Sequence, residues 1–302
     1  MKNKVLILGA TGMLGAMVYD YLSQNESILV YGTIRNKSDS DIINNHFYFD
    51  ANDNISKQLG NIYENYHFNY LVNCIGVIKP FINNNNPKLI KNAINLNSIL
   101  PFRLNDFISR TNDDIKLLQI ATDCVFSGKT GKYTEESPHD AHDVYGKTKS
   151  LGEIIDKNIL NIRTSIIGPE IKNKQSLLEW FLNQRGKFVY GFDHHRWNGV
   201  TTLQYAKLIE NIIMKDNFKN LRNINHVLHY VKNETVTKYE LLIIFKKLFS
   251  IDTEIIKTNE KGPPVYRNLN TLYFPQSIQN MYHCIEELKF YLDHYSKIFQ
   301  NE

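Results

Sequence analysis

The stretch Val5-Leu6-Ile7-Leu8-Gly9-Ala10-Thr11-Gly12-Met13-Leu14-Gly15 decides the fold. Its four consecutive apolar residues read as a strand buried on both faces of a parallel sheet. A glycine-rich turn follows at once, and the amphipathic Met17-Val18-Tyr19-Asp20-Tyr21-Leu22 follows the turn. Strand, glycine turn, helix is the context that a dinucleotide fingerprint requires. Glycine lets the backbone approach a pyrophosphate, and the helix N-terminus offers N–H donors and a positive dipole end. The spacing is Gly-x-x-Gly-x-x-Gly, not the usual Gly-x-Gly-x-x-Gly. Gly9, Thr11, Gly12, Met13, Leu14 and Gly15 are therefore expected to contact a dinucleotide. The competing reading is a structural βα turn with no ligand.

Working outward, Ile28-Leu29-Val30-Tyr31-Gly32-Thr33-Ile34 reads as a second strand, and Arg35 and Lys37 follow it. An NAD-selective site would place an acidic residue near here for the ribose 2′-hydroxyl. Two cations suit the 2′-phosphate of NADP instead, the bland reading being solvated loop charges. Phe47-Tyr48-Phe49-Asp50 reads as a short third strand that aims Asp50 at the adenine. Tyr70 to Ile75 is a fourth strand; ligands bind outside the carboxyl ends of such strands, so Cys74, Ile75 and Gly76 should lie against the cofactor. A long helical pattern from Leu89 to Ile108 contains Asn97, a further cofactor candidate. Ile115 to Ala121 is the fifth strand, with Thr122-Asp123-Cys124 at its end, and Leu160 to Arg163 the sixth.

This alternation predicts an α/β, doubly wound parallel-sheet Rossmann fold. After Gly168-Pro169 the alternation weakens. Helices are expected at Leu177–Leu182, Thr201–Met214 and Lys238–Phe249, with strands at Lys187–Tyr190 and Val227–Val231. The division expected is an NADP-binding domain over 1–168 plus about 200–232, and a smaller C-terminal α+β substrate lobe over 169–199 and 233–302.

A second motif lies at Asp143-Val144-Tyr145-Gly146-Lys147-Thr148-Lys149. Asp143 is an N-cap residue type, and on the helix it opens, Tyr145 and Lys149 share one face. A nearby ammonium favours the phenolate, so the pair reads as a tuned proton donor, the bland alternative being a helix-surface pair. His139 and His142, in the loop before it, read as solvated.

Composition bounds the rest. The chain has 302 residues and a formal charge of only +4, with no clustered basic tail. That argues against nucleic acid as a partner and suits an anionic small molecule. Cys74, Cys124 and Cys284 stand far apart, with neither metal-ligand nor disulfide spacing. The N-terminus lacks a signal-like apolar run and nothing later is long enough to span a bilayer, so a cytoplasmic protein without membrane association is expected.

With Gly9-Ala-Thr-Gly-Met-Leu-Gly15, Ala121-Thr-Asp-Cys-Val-Phe-Ser-Gly128 running through Gly131-Lys-Tyr-Thr-Glu-Glu136, and Tyr145-Gly-Lys-Thr-Lys149 with Leu151-Gly-Glu153 in order, the chain resembles the extended short-chain dehydrogenase/reductases. Within them it looks like the dTDP-4-dehydrorhamnose reductase family of nucleotide-sugar 4-ketoreductases. The likeness continues at Asn161-Ile-Arg-Thr164 and, more loosely, at Asn198-Gly-Val-Thr-Thr202 and Tyr266-Arg-Asn-Leu-Asn270. It implies that Tyr145 is the proton donor, Lys149 its activator and ribose contact, and Thr122 the hydroxyl that holds the substrate carbonyl. It implies NADPH as cofactor and a 4-keto-6-deoxy-hexose on a nucleoside diphosphate as substrate, in surface glycan precursor synthesis. Cys124, Val125, Phe126, Trp197 and Arg267 are the implied substrate contacts. Arg267, after the Pro263-Pro264 turn, suits a diphosphate grip. Trp197 and Arg196 read either as nucleobase and diphosphate contacts or as part of the small lobe's own packing.

Two departures are informative. The family commonly places Tyr where Cys124 stands, and an acidic metal-holding residue where Met17 stands, so no metal is expected there. Cys124 with Cys74-Ile-Gly-Val-Ile-Lys-Pro80 looks more like the reductases of UDP-linked N-acetyl-6-deoxy-L-hexoses. Two rival functions stay open. A Cys124 thiolate, with His194 or His195 as acid, would make a bifunctional 3,5-epimerase/4-reductase, against which stands a small cysteine packed under the substrate. Some relatives instead act as non-catalytic NADP-binding regulatory subunits. A homodimer is also left open.

Overall fold

A computed structural model describes residues 2–111 and 114–299. β1 (Asn3–Leu8) shows why its apolar run is continuous: Val5 and Ile7 enter one core while Leu6 and Leu8 enter another, and all four are fully buried. The turn leads into α1 (Met13–Leu22), then β2 (Ile28–Ile34), β3 (His46–Tyr48), α2 (Ile55–Tyr66) and β4 (Tyr70–Asn73). α3 (Pro87–Ala93) and α4 (Leu100–Arg110) are joined by a π-helical turn over Ile94–Ile99. β5 (Lys116–Thr122), α5 (Val144–Leu151) and β6 (Ile159–Thr164) complete the regular alternation.

The remainder begins with β7 (Ile166–Ile167), α6 (Leu177–Leu182), β8 (Phe188–Phe192), β9 (His195–Trp197) and β10 (Val200–Thr201). It continues through α7 (Thr202–Met214), α8 (Phe218–Ile224), β11 (Val227–His229), β12 (Val236–Thr237) and α9 (Lys238–Leu248). β13 (Glu254–Thr258), β14 (Val265–Tyr266) and α10 (Met281–His294) close the described chain.

The main sheet has seven strands in the order β11-β6-β5-β4-β1-β2-β3, and every pairing in it is parallel. The Rossmann expectation is borne out, with β11 supplied from the later part of the chain. Strand order reverses between β1 and β4, which opens a crevice at the carboxyl ends of those two strands. α1 and α7 cover one face, and α2 and α4 the other. Three smaller sheets, β12-β9-β14, β13-β8 and β10-β7, complete the fold, and β7, β9 and β14 line a cavity that adjoins the crevice.

The structure departs from the sequence reading in two places. The long helical pattern expected over Leu89–Ile108 is helical throughout but widens into a π turn at Ile94–Ile99. Pro101 has no N–H to donate to the Asn97 carbonyl, so the ladder widens there. α10 departs from the expected division. Its Tyr291 hydroxyl donates to Asp20 of α1 at 3.0 Å, and Ile285 and Leu288 are buried in the core that holds Val5 and Ile7. The last helix therefore bridges the two parts, packing on α9 of the lobe as well as on α1 and α7. Among the described residues no helix is long and apolar enough to cross a membrane.

The glycine turn separates two structural roles. A Cβ on Gly15 would lie 2.1 Å from the Gly9 carbonyl oxygen, whereas one on Gly12 meets only that oxygen, at 3.5 Å. Gly15→Ala is expected to lower stability by about 2 kcal/mol or more, with Gly12→Ala within about 1 kcal/mol of the parent, read from urea midpoints at constant m.

Candidate active site

The crevice is a cavity of about 410 Å3 whose walls include Gly12, Met13, Leu14, Cys74, Ile75 and Gly76. Asn97, Thr122, Cys124, Tyr145 and Lys149 line it as well. Residues spread over more than a hundred positions are thus brought to one place by the ends of β1, β4 and β5 and by α5. A second cavity of about 230 Å3 adjoins it and shares Asp123, Cys124, Ser165, Ile166 and Leu177.

At the glycine turn, Gly12 is the N-cap of α1 and no side chain caps the helix. The first-turn N–H groups and the positive end of the helix dipole face the cavity beside a position with no Cβ. This is the geometry a pyrophosphate needs, and the residues present fit a dinucleotide. Gly9 and Gly15 serve the turn rather than the cavity wall. Gly9 has φ +77, its N–H donates to the Thr33 hydroxyl at 3.0 Å, and Gly15 allows α1 to close on the Gly9 carbonyl. Thr11 is half-buried within the turn. Arg35 and Lys37 are exposed just past β2, and among the described residues neither makes an ion pair. β3 ends at Tyr48, two residues earlier than expected, and one Asp50 carboxylate oxygen accepts from the Asn52 backbone and side-chain amides at 2.9 and 3.1 Å. That carboxylate caps a local turn.

α5 delivers the presumed acid. Asp143 accepts from the Gly146 N–H at 2.8 Å and starts the helix two residues ahead of Tyr145. A Cβ on Gly146 would sit 2.4 Å from the Cys124 carbonyl oxygen, and one on Gly152 2.0 Å from the Asn97 carbonyl oxygen. Only glycine lets α5 lie this close to the end of β5 and to the π turn. The contact sets Tyr145 in the same cavity wall as Thr122, the last residue of β5. Asn97, expected at the cofactor, is also a brace. Its amide donates to the Val77 carbonyl at 3.0 Å and the Thr148 hydroxyl at 3.1 Å, and accepts from the Val77 N–H at 2.8 Å.

The electrostatics correct one expectation. Tyr145 was expected to be an acidified phenol, yet its proton affinity is raised, first by burial and then by Cys124, Asp123 and Asp143; the Thr122 hydrogen bond opposes this. Lys149 is buried with its ammonium on the Ile120 carbonyl at 2.7 Å, and burial pulls its pKa down to about 8 against the pull of Glu153 and Cys74. Burial pushes the Cys124 thiol up to about 12, with Asp123 adding to the shift, so it is a protonated thiol at neutral pH. That does not favour the thiolate an epimerase would use. His195 lines the second cavity with Cys124, and its ring meets the Pro263 carbonyl at 3.2 Å; His194 bonds the Gly262 carbonyl at 3.2 Å.

The implied substrate residues divide. Cys124, Trp197 and Arg267 line the second cavity. Val125 and Phe126 do not: both are fully buried, packed with Val231 and Leu269, and Phe126 stacks on Tyr133 at 4.4 Å. The turn after Thr122 points these side chains into the protein. Arg196 is exposed over the Tyr266 ring at 5.6 Å. Met17 is fully buried in the core.

Sequence reasoning missed three features. Lys238, the first residue of α9, lines the second cavity beside Arg267, with its pKa lowered by burial and by that arginine. The signal was available in the Thr237-Lys-Tyr-Glu240 capping box, which marks a helix start. Lys79 bonds Asp143 at 2.7 Å. Lastly, His139 is exposed, as a solvated loop residue would be, but it is also bonded on both ring nitrogens. It bonds Ser150 at 2.6 Å and Arg163 at 2.6 Å, at the open edge of a network in which the buried Arg163 also meets Glu153 at 2.6 and 2.8 Å and His229 at 3.1 Å. His142 is exposed.

That network ties the segment just after α5 to β6. Arg163→Met strands the buried Glu153 carboxylate and is expected to cost about 3–5 kcal/mol in urea unfolding. Arg163→Met/Glu153→Leu should recover most of that loss.

Comparison with known proteins agrees with this architecture. The solved dTDP-4-dehydrorhamnose reductase of Bacillus anthracis, in complex with NADP, superposes with a TM-score of 0.75 at 16% identity, over 96% of this chain and 99% of that one. The Clostridium acetobutylicum dTDP-4-dehydrorhamnose reductase gives 0.70 at 18% identity, over 96% and 99%. By sequence, the chain is similar to the beta subunit of methionine adenosyltransferase 2 from Danio rerio, 24% identical over 82% of this chain and 75% of that protein. The RmlD substrate binding domain matches residues 2–268, and this chain belongs to that family.

Proposed function

We propose that this protein is an NADPH-dependent oxidoreductase that reduces the C4 ketone of a nucleoside-diphosphate-linked 4-keto-6-deoxy-hexose in surface glycan precursor synthesis. The observation that carries this reading is that Tyr145, Thr122 and Lys149 line one cavity together with the uncapped α1 turn. Bound NADPH supplies hydride to the carbonyl carbon. Gly12, Met13 and Leu14 hold the pyrophosphate, Lys149 the ribose, and the exposed Arg35 and Lys37 the 2′-phosphate. Thr122 orients the ketone oxygen, and Tyr145 gives its proton to the alkoxide that forms there.

An alkoxide is far more basic than a ground-state carbonyl, so a phenol whose proton is held tightly at rest still transfers it downhill. The phenolate that results is stabilised by the Lys149 charge one helical turn away. The adjoining cavity supports a substrate with an anionic arm. Arg267, held to the Phe126 and Ser127 carbonyls at 3.3 and 3.5 Å, and Lys238 face it, and among the described residues neither makes an ion pair. These two cations suit a diphosphate. Whether the base is thymine or uracil, and whether the hexose carries an N-acetyl group, is read from a substrate panel.

NADPH consumption is therefore assayed with dTDP-, UDP- and GDP-linked 4-keto-6-deoxy-hexoses. Tyr145→Phe is expected to lower kcat at least about 100-fold while NADPH binding, followed by fluorescence, stays within about twofold. A Phe variant that keeps most of its kcat refutes the assignment, and NADPH binding without reduction of any panel sugar leaves a binding subunit.

The pH dependence follows from Lys149. As pH rises through about 8 this group loses the charge that stabilises the phenolate, so kcat should decline above that value. Lys149→Met should be slow throughout and lack this alkaline limb, measured as kcat against pH at saturating NADPH.

A further inference from the structure

One cation beside the presumed acid has no part in the mechanism above. Lys79 opens a short 3-10 turn, Lys79–Phe81, after β4. Its ammonium lies 2.7 Å from Asp143 Oδ2 and 5.9 Å from the centre of the Tyr145 ring. The loop that carries it is fixed from behind, because Asn97 clamps both the N–H and the carbonyl of Val77. The Lys79 side chain is about one-third exposed and is therefore not part of the core.

The N-terminus of α5 contains a conflict. A carboxylate cap is favourable where it satisfies the Gly146 N–H and meets the helix dipole. The same carboxylate puts negative charge two residues before a phenol that must become a phenolate, and like charge opposes that ionisation. The charged and titratable groups that bear on Tyr145 are Asp143 and Lys149 from α5, Asp123 and Cys124 from the turn after β5, and Lys79 from the β4 loop. Arg267 acts on Asp123, Cys124 and Asp143 from the lobe. Of these cations, Lys79 is the one bonded to the cap and set over the phenol ring.

We propose that Lys79 is a positioning residue for proton transfer: it pins the Asp143 cap and cancels its charge, so that α5 can begin on a carboxylate without holding back the Tyr145 proton. Lysine serves here as a point charge directed at one oxygen, leaving the other for the Gly146 N–H. The inference rests on the reading of Tyr145 as proton donor.

The test uses the full chain and whichever panel sugar is reduced, with kcat and the KM for NADPH measured for three variants. Lys79→Met should lower kcat about 10-fold by leaving the Asp143 charge unopposed, with the NADPH KM within about twofold. Lys79→Arg should restore most of the loss. Lys79→Met/Asp143→Asn should also recover, because asparagine still caps the helix but carries no charge. A merely structural pin predicts that this double variant is no better than Lys79→Met. Either that result, or a Lys79→Met kcat within about twofold of the parent, overturns the proposal. The two readings fail separately. Turnover retained in Tyr145→Phe, or a panel with no reducible sugar, removes the mechanism and this inference with it. Loss of turnover in Tyr145→Phe with a silent Lys79→Met removes the inference alone.

Discussion

The site depends on how closely α5 lies against its neighbours. At Gly146 the helix backbone meets the Cys124 carbonyl, and at Gly152 it meets the Asn97 carbonyl. A methyl group at either point would push the helix outward, and Tyr145 would leave Thr122. The π turn belongs to the same constraint. Pro101 frees the Asn97 carbonyl, and the widened helix presents Asn97 and Ser98 to Thr148, the latter with a hydrogen bond of 2.8 Å to the Thr148 carbonyl. Two glycines, a proline and an asparagine thus place one phenol.

Burial then sets the chemistry. Tyr145 and Lys149 stand in a poorly solvated cleft, where desolvation raises the phenol and lowers the ammonium. Charges in such a place must be paired or held by dipoles. Lys149 is held by the Ile120 carbonyl, Asp143 by Lys79, and Glu153 by Arg163 with His139 and His229 packed around the guanidinium. Arg267 and Lys238 in the second cavity make no ion pair among the described residues, which suits that cavity to an anion.

The fold was legible from β1 onward because a parallel strand buried on both faces cannot alternate polar and apolar residues. Val5 to Leu8 announced the sheet, and the glycines announced the turn. Of the site, Gly12 to Leu14, Cys74 to Gly76, Thr122, Tyr145 and Lys149 were readable because each sits at a strand end or on one helical face. Val125 and Phe126 were misread for the opposite reason. Their neighbours line the cavity, but the 3-10 turn after Thr122 sends these side chains into the core. Asp50 follows β3 in the turn rather than ending it, and one of its carboxylate oxygens is engaged by Asn52.

By itself the sequence determined the alternating α/β layers, the strand ends that line the crevice and the shared helical face of Tyr145 and Lys149, since these follow from local periodicity, turn chemistry and i,i+4 spacing. Only the tertiary structure decided the electrostatics. Whether a phenol is acidified, a thiol ionised or a histidine solvated depends on which distant groups share its low-dielectric surroundings, and no local pattern records that. Tyr145 beside Asp123, Lys79 on Asp143 and His139 against Arg163 are all contacts between segments that the chain keeps apart and the fold brings together.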